Sequence, residues 1–260
     1  MIKKIAKKGL FIFSIFGIDL LKFTITLYNI PKFIFESLKF YFNKENNFSF
    51  SLYPILVDKF LEAGTTKSQY FHQDLYVASK IYKNNPENHY DIGSRIDGFV
   101  AHIASFRKIN VLDIRPLKNR IHNISFFQQD IMEENQYLNQ KIDSLSCLHA
   151  IEHFGLGRYG DKIDFNGHLK GLDNIFKMLK KNAMFYFSVP IGPNKIYFNA
   201  HRVFSIDYLL KYFSSKYELI EFAYVNDKGF FNQNFQINEK GLNILRKLKF
   251  GLGIFILKKI

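Results

Sequence analysis

Apolar and polar positions follow two periods along most of this chain. From residue 89 onward, short runs rich in β-branched and aromatic residues alternate with stretches whose apolar positions return every three or four residues. The runs predict strands and the stretches predict amphipathic helices. Strands are expected near 89–92, 110–114, 124–128, 142–148, 184–189 and 217–225, with a last one near 254–257. Helices are expected near 74–83, 97–106, 168–180 and 206–213. Pro190 should stop the fifth strand. Alternating strands and helices imply an α/β fold with a mostly parallel sheet and right-handed crossovers. The last run is too short to span a membrane and should pair with 217–225 as a C-terminal antiparallel hairpin. This gives a seven-stranded, Rossmann-like sheet over residues 64–260, preceded by a basic amphipathic helical extension over 1–63.

The first 43 residues follow a different pattern. Lys3, Lys4, Lys7, Lys8, Asp19 and Lys22 fall on one side of a helical wheel, and Leu10, Phe13, Phe16 and Leu20 fall mostly elsewhere. Pro31 should interrupt or restart the helix. A cleaved signal peptide needs a small-residue site after the apolar run, and Asp-Leu-Leu-Lys at 19–22 is not one. A spanning helix would hold Asp19 and Lys22 near its centre, at about 2.5–3.5 kcal/mol each. Two readings remain, a helix lying on a membrane surface and a helix packed on the protein's own core.

Composition narrows the class. A chain of 260 residues with 47% hydrophobic content builds one sizeable core. The single cysteine, Cys147, excludes an internal disulfide and fits a reducing compartment, so a cytoplasmic location is expected, peripheral on the inner membrane if 1–43 binds lipid. The net charge of +13 points to an anionic partner or surface. Nucleic acid is disfavoured, because the basic residues concentrate at two apolar ends and no RNA-binding module is recognisable.

The densest chemistry begins at Asp-Ile-Gly-Ser-Arg-Ile-Asp-Gly, residues 91–98, which reads as strand, glycine turn and helix. Gly93 permits a sharp turn, and Gly98 should let the helix pack close to the sheet. Asp113 follows the turn by about 20 residues, where an acidic side chain can accept ribose hydroxyls. Arg95 and Asp97 stand where a dinucleotide turn would have small residues, and Asp91 and Asp97 would repel a pyrophosphate. A nucleoside carrying a sulfonium and an ammonium, S-adenosylmethionine, suits these acids better than NAD. Asp130, after the third strand, is a candidate for the adenine amino group or for a simple helix cap. Asp91, Asp113, Asp130, His149 and Pro190 all lie at carboxyl ends of expected strands, where open α/β sheets bind ligands.

Other residues are candidates for acceptor chemistry. His149, Glu152 and His153 spell H-x-x-E-H, the inverted zinc-protease signature, but the flanking strand and Gly155 and Gly157 leave no room for a long zinc helix. Either histidine could instead serve as a general base, with Glu152 orienting it, or Glu152 and His153 could simply tie down the loop. His201 and Arg202 are candidates to grip an anionic or polyhydroxyl acceptor. His72 and Gln73 could form a lid, with Asp74 as a helix cap, and Ser205 should cap the helix that follows it.

Five segments carry a resemblance: Tyr70-Phe-His-Gln-Asp, Asp91-Ile-Gly-Ser-Arg-Ile-Asp-Gly-Phe, Asp113-Ile-Arg, residues 143–161, and Phe198-Asn-Ala-His-Arg-Val-Phe-Ser. Across residues 64–229 the chain resembles an uncharacterised family, domain of unknown function 268, with a class I S-adenosylmethionine-dependent methyltransferase-like core. The resemblance implies that fold and that cofactor, with Asp91, Gly93 and Ser94 at the methionine end, Asp113 at ribose and Asp130 at adenine. It also implies a surface-glycan acceptor: a glycan, nucleotide sugar or lipid-linked saccharide. The alternatives are a binding protein with an altered methyltransferase pocket and, further off, a zinc hydrolase using His149, Glu152 and His153. No metal is otherwise expected.

Overall fold

The computed structural model describes residues 17, 19–43, 48–60, 64, 66 and 68–260. The chain divides into two compact units, Met1–Thr65 and Thr66–Ile260. In the first, helix α1 spans Leu20–Asn43. Asp19 caps it, its Oδ1 accepting the Lys22 N–H at 3.0 Å. The helix runs through Pro31 rather than stopping there. A proline forfeits one N–H bond and crowds one carbonyl, and the turns on either side here remain helical. Leu21, Phe23, Phe35 and Phe42 are exposed. The lysines at 3–8 lie outside the described residues. Among the described residues, no helix is long and apolar enough to cross a membrane.

The second unit is built on one sheet. Its strands are β1 (Tyr90–Ile92), β2 (Ile109–Asp113), β3 (Ile124–Gln128), β4 (Ile142–Leu148), β5 (Leu179–Ile191), β8 (Tyr217–Val225), β9 (Phe231–Asn232) and β10 (Gly251–Lys259). Among the described residues the order is β3-β2-β1-β4-β5-β10-β8-β9. β1 to β5 are parallel, and β10 runs antiparallel to both its neighbours. The expected closing pair, β8 with β10, forms, and β10 also inserts beside β5. The two-residue β9 adds an edge beyond β8. β6 (Lys195–Tyr197) and β7 (His201–Val203) form a separate ribbon. This is the Rossmann-like α/β architecture of class I methyltransferases, in which the order reverses beside β1 and ligands meet the strand tips.

Alternation along the strands divides the core. Ile92, Leu112, Phe185 and Phe187 face a cluster that includes Leu172 and Ile175 of α4 (Gly167–Met178) and Leu209 and Phe213 of α5 (Ile206–Phe213). Ile109, Val111 and Tyr186 face the opposite cluster, with Val77 and Ile81 of α2 (Gln69–Asn84) and Ile103 of α3 (Ala101–Ala104). A last helix, α6, covers Glu239–Leu245. Ser205 caps α5 as expected, accepting the Tyr208 N–H at 3.2 Å.

Three local differences matter for the site. Helix α2 starts at Gln69, so Asp74 lies in its second turn and is buried rather than capping it. The helix expected over 97–106 is instead a π-helical turn, Ile96–Val100, followed by the short α3. A Cβ on Gly98 would meet Asp74 Oδ2 at 3.3 Å, so its close partner is α2 and not the sheet. Finally, β5 continues through Pro190. The last pairing with β4 is Leu148 opposite Ser188, so Pro190 lies where that ladder has already ended.

Candidate active site

At the tips of β1, β2 and β3 lies a cavity of about 510 Å³, lined by Gly93, Asp113, Ile114, Asp130, Met132 and Ala150 among others. Gly93 makes the turn after β1 at φ +73°, and a Cβ there would sit 2.8 Å from Ala150 Cβ. Asp113 ends β2 with its side chain almost buried. Arg115 engages it: its backbone N–H and Nε donate to Oδ1 at 2.8 and 3.0 Å, and Nη2 donates to Oδ2 at 2.5 Å. Arg115 Nη2 also reaches the Gly93 carbonyl at 3.5 Å. Arg95 does not line this cavity; it pairs with Asp97, and both are exposed. Asp130 accepts the Met132 N–H with Oδ1 at 2.8 Å while lining the cavity, so it caps a turn and faces a ligand space at once. Burial raises its pKa.

Asp91 corrects the expectation that it faces the ligand. It is fully buried and lines neither the cavity nor the cleft beside it. Its Oδ1 accepts the Ser94 N–H at 3.0 Å, and its Oδ2 accepts the hydroxyls of Ser94 at 2.9 Å and Ser146 at 2.5 Å. Ser146 in turn meets His89 Nε2 at 3.0 Å, and Ser144 meets His89 Nδ1 at 2.8 Å. The amide of Ser94 is therefore occupied inside the protein, though Ser94 itself lines the cleft. Burial lifts the Asp91 carboxyl to about 7 against the pull of these hydrogen bonds. Burial and the nearby Arg107 charge push His89 down to about 3, so it stays neutral.

At the tip of β4, His149 takes a left-handed conformation, φ +52°. Its Nδ1 lies 2.7 Å from Glu152 Oε1, with only 6% and 1% of the two side chains exposed. Nε2 of His149 and Oε2 of Glu152 are buried without a hydrogen-bond partner. Burial pushes the Glu152 carboxyl up, but the charges of His149 and His153 and the His149 hydrogen bond outweigh it and bring it below the usual range. In the neutral tautomer that donates Nδ1–H to Glu152 Oε1, Nε2 of His149 is an acceptor. His153 Nδ1 meets the Ala200 carbonyl at 2.6 Å, which ties it to the loop before β7. The zinc reading loses its geometry: Ile151–His153 is one 3-10 turn, so the two histidines share no helix face. Among the described residues, no group of three or more histidine, cysteine or acidic side chains could hold a metal.

A wider cleft of about 1630 Å³ adjoins the cavity and shares Gly93, Asp113, Arg115, His149 and Tyr159 with it. Its other walls include Tyr70, Gln73, Asp74, Arg95 and Arg158. The Tyr70 ring lies 4.6 Å from the His149 ring. Tyr70, Gln73 and Asp74 share one face of α2, a spacing readable once the helix is extended back to Gln69. Arg115, Arg158 and Tyr159 carried no assigned role in the sequence reading, although they fall in its densest segments.

The expected acceptor residues land elsewhere. His72 stacks on Phe231 at 5.3 Å and lines neither space. His201 packs against the rings of Tyr197 and Phe250, also outside both. Arg202 is buried and donates to the carbonyls of Phe154 at 2.5 Å and Phe165 at 3.1 Å. It braces the loop behind His149 instead of reaching into the cleft.

The family described as "Caenorhabditis protein of unknown function, DUF268" matches residues 98–260. The chain belongs to this family. The match takes in Asp113, Asp130, His149 and Glu152, while the segments at 70–74 and 91–97 precede it. No curated protein sequence matches the chain. Among solved structures, the [4+2]-cyclase SpnF is similar with a TM-score of 0.51 and 10% identity, over 76% of this chain and 85% of that one. The 1,6-didemethyltoxoflavin-N1-methyltransferase of Burkholderia thailandensis, solved with S-adenosylhomocysteine, gives 0.49 and 12%, over 72% and 78%. NodS, an N-methyltransferase of Bradyrhizobium japonicum, gives 0.47 and 12%, over 73% and 87%. The likeness to SpnF shows a shared fold.

Proposed function

We propose that this family member is an S-adenosylmethionine-dependent methyltransferase acting on an oxygen or nitrogen of a saccharide acceptor: a glycan, nucleotide sugar or lipid-linked saccharide. The observation that carries the reading is His149, which lines both cavity and cleft and whose buried Nε2 has no hydrogen-bond partner. The cavity suits an adenosyl group, with Asp113 for ribose, the second oxygen of Asp130 for the adenine amino group, and Ile114, Ile131 and Met132 against a flat ring. S-adenosylmethionine, when bound, supplies a methyl group on a cationic sulfonium, which a site rich in carboxylates favours over a pyrophosphate. Glu152 holds the His149 tautomer, and Nε2 removes the proton from the attacking hydroxyl or amine. The walls align the acceptor for in-line attack. Tyr70 and Tyr159 give the cleft two aromatic faces, and Gln73 and Asp74 give it polar edges, which suits a ring bearing many hydroxyls.

The reading extends to location. Exposed apolar side chains on α1, with Lys22, Lys32 and Lys39 among them, suit a helix lying on the cytoplasmic face of an anionic membrane. One observation favours a second reading, a binding protein with an altered pocket: Arg115 already holds the carboxylate that ribose would need. Calorimetric titration with S-adenosylhomocysteine separates the two. Binding in the micromolar range by the wild type, weakened about tenfold or more in D113N, supports the methyltransferase. No heat and no thermal shift removes it.

A further inference from the structure

Tyr159 has two guanidinium groups near its ring, Arg115 at 4.6 Å and Arg158 at 5.2 Å from the ring centre. The loop that presents Tyr159 and Arg158 is held in shape. The two oxygens of Asp161 accept the N–H groups of Gly157 and Tyr159 at 3.1 Å each, and Gly157 and Gly160 take φ of +69° and +85°. Arg158 is exposed; it donates to the Ala200 carbonyl at 3.0 Å and lies 3.4 Å from His153 Nδ1. Among the described residues no carboxylate pairs with it within 4.0 Å, in contrast to Arg95 and Arg115. Most of its five donors therefore remain for a ligand. Arg158 and Arg95 both act electrostatically on the Tyr70 hydroxyl, and the Tyr70 ring stacks on His149. An anion held by Arg158 would lie beside the proposed base. Arg115 is occupied by Asp113, but ribose hydroxyls on that carboxylate would displace it while Tyr159 keeps it at the cleft wall.

We propose that Arg158, joined by Arg115 once a nucleoside occupies Asp113, forms a subsite for a diphosphate group of the acceptor. This rests on the methyltransferase reading and narrows its substrate to saccharides carried on a diphosphate. Two guanidiniums near one ring suit linked phosphates, which offer several oxygens to separate planar forks. Neutral glycans gain nothing from this arrangement.

The test is calorimetric titration of the full chain with inorganic pyrophosphate, with and without saturating S-adenosylhomocysteine, for wild type, R158Q and R115Q. Pyrophosphate should bind the wild type more tightly when the nucleoside is present, and R158Q should weaken it about tenfold or more. S-adenosylhomocysteine should bind R158Q as it binds the wild type, which also reports that the variant folds. In R115Q the nucleoside should bind more tightly, and its enhancement of pyrophosphate binding should vanish. Equal pyrophosphate affinity in wild type and R158Q, with nucleoside binding intact, overturns the subsite. Absence of nucleoside binding to the wild type overturns the methyltransferase reading, and Arg158 is then judged by the titration without nucleoside. UDP and geranyl diphosphate, titrated in the same way, distinguish a nucleotide-borne from a lipid-borne diphosphate, and R158Q must weaken whichever binds.

Discussion

The turns after β1 and β4 flank the same cavity and settle their polar atoms in opposite ways. After β1, Asp91 is sealed and both its oxygens are taken by Ser94 and Ser146, while His89 behind it has a partner on each nitrogen. After β4, His149 and Glu152 are nearly as buried, yet each keeps one atom without a partner. Burying a polar atom unpaired costs about 1–3 kcal/mol, so the second turn is kept at a cost that the first avoids. The difference teaches which histidine to assign to structure and which to chemistry. Burial alone does not separate them; the leftover hydrogen-bonding capacity does.

The sharpest way to break the comparison is to remove one histidine from each hydrogen-bond network. H149Q should lower the methyl-transfer rate by about 10²–10⁴-fold in single-turnover assays, with S-adenosylhomocysteine affinity little changed. If H149Q transferred methyl groups as fast as the wild type, His149 would be no more than a loop residue.

A slightly smaller effect concerns Asp91. With its native carboxyl near 7, the folded protein holds a proton that the unfolded chain releases near 4. Stability should therefore fall as pH rises from about 4 to 7, by roughly 4 kcal/mol over the window. D91N should flatten that slope relative to the wild type in urea titrations at several pH values. An unchanged slope would show that burial does not raise the Asp91 carboxyl above its unfolded value.

H89Q, just before β1 and joined to Asp91 through Ser146, should lose about 1–3 kcal/mol of stability and leave nucleoside binding intact. A loss of binding with no loss of stability would reverse the roles given to the two turns. The smallest effect is expected at Gly93. G93A must adopt φ +73° and place a Cβ 2.8 Å from Ala150 Cβ, at about 1–2 kcal/mol by thermal unfolding.

The sheet was legible because apolar period and strand length agree along β1 to β4. The fifth strand was longer than its apolar run, since a pairing of Leu179 with Ile142 starts it before polar residues 180–182 and pairing with β10 carries it past Pro190 to Ile191. The cavity carboxylates Asp113 and Asp130 were legible from their places at strand tips. The Asp91 network was not, because Ser144 and Ser146 lie 55 residues or more away in sequence from His89 and Asp91. Arg202 looked like an acceptor grip because it follows the fifth strand, where it would sit over the pocket, and only the fold turns it onto backbone carbonyls. His72 and Asp74 were misplaced for one reason: the start of α2 has no strong capping bond to mark it, Ser68 lacking a side-chain cap.

The most direct measurement is a crystal structure of the protein with S-adenosylhomocysteine. The account predicts ribose hydroxyls on Asp113, adenine beside Asp130, Arg115 withdrawn toward Tyr159, and Asp91 still sealed beneath Gly93. A nucleoside bound elsewhere, or Arg115 still clasping Asp113 with the cavity empty at saturating ligand, would contradict it.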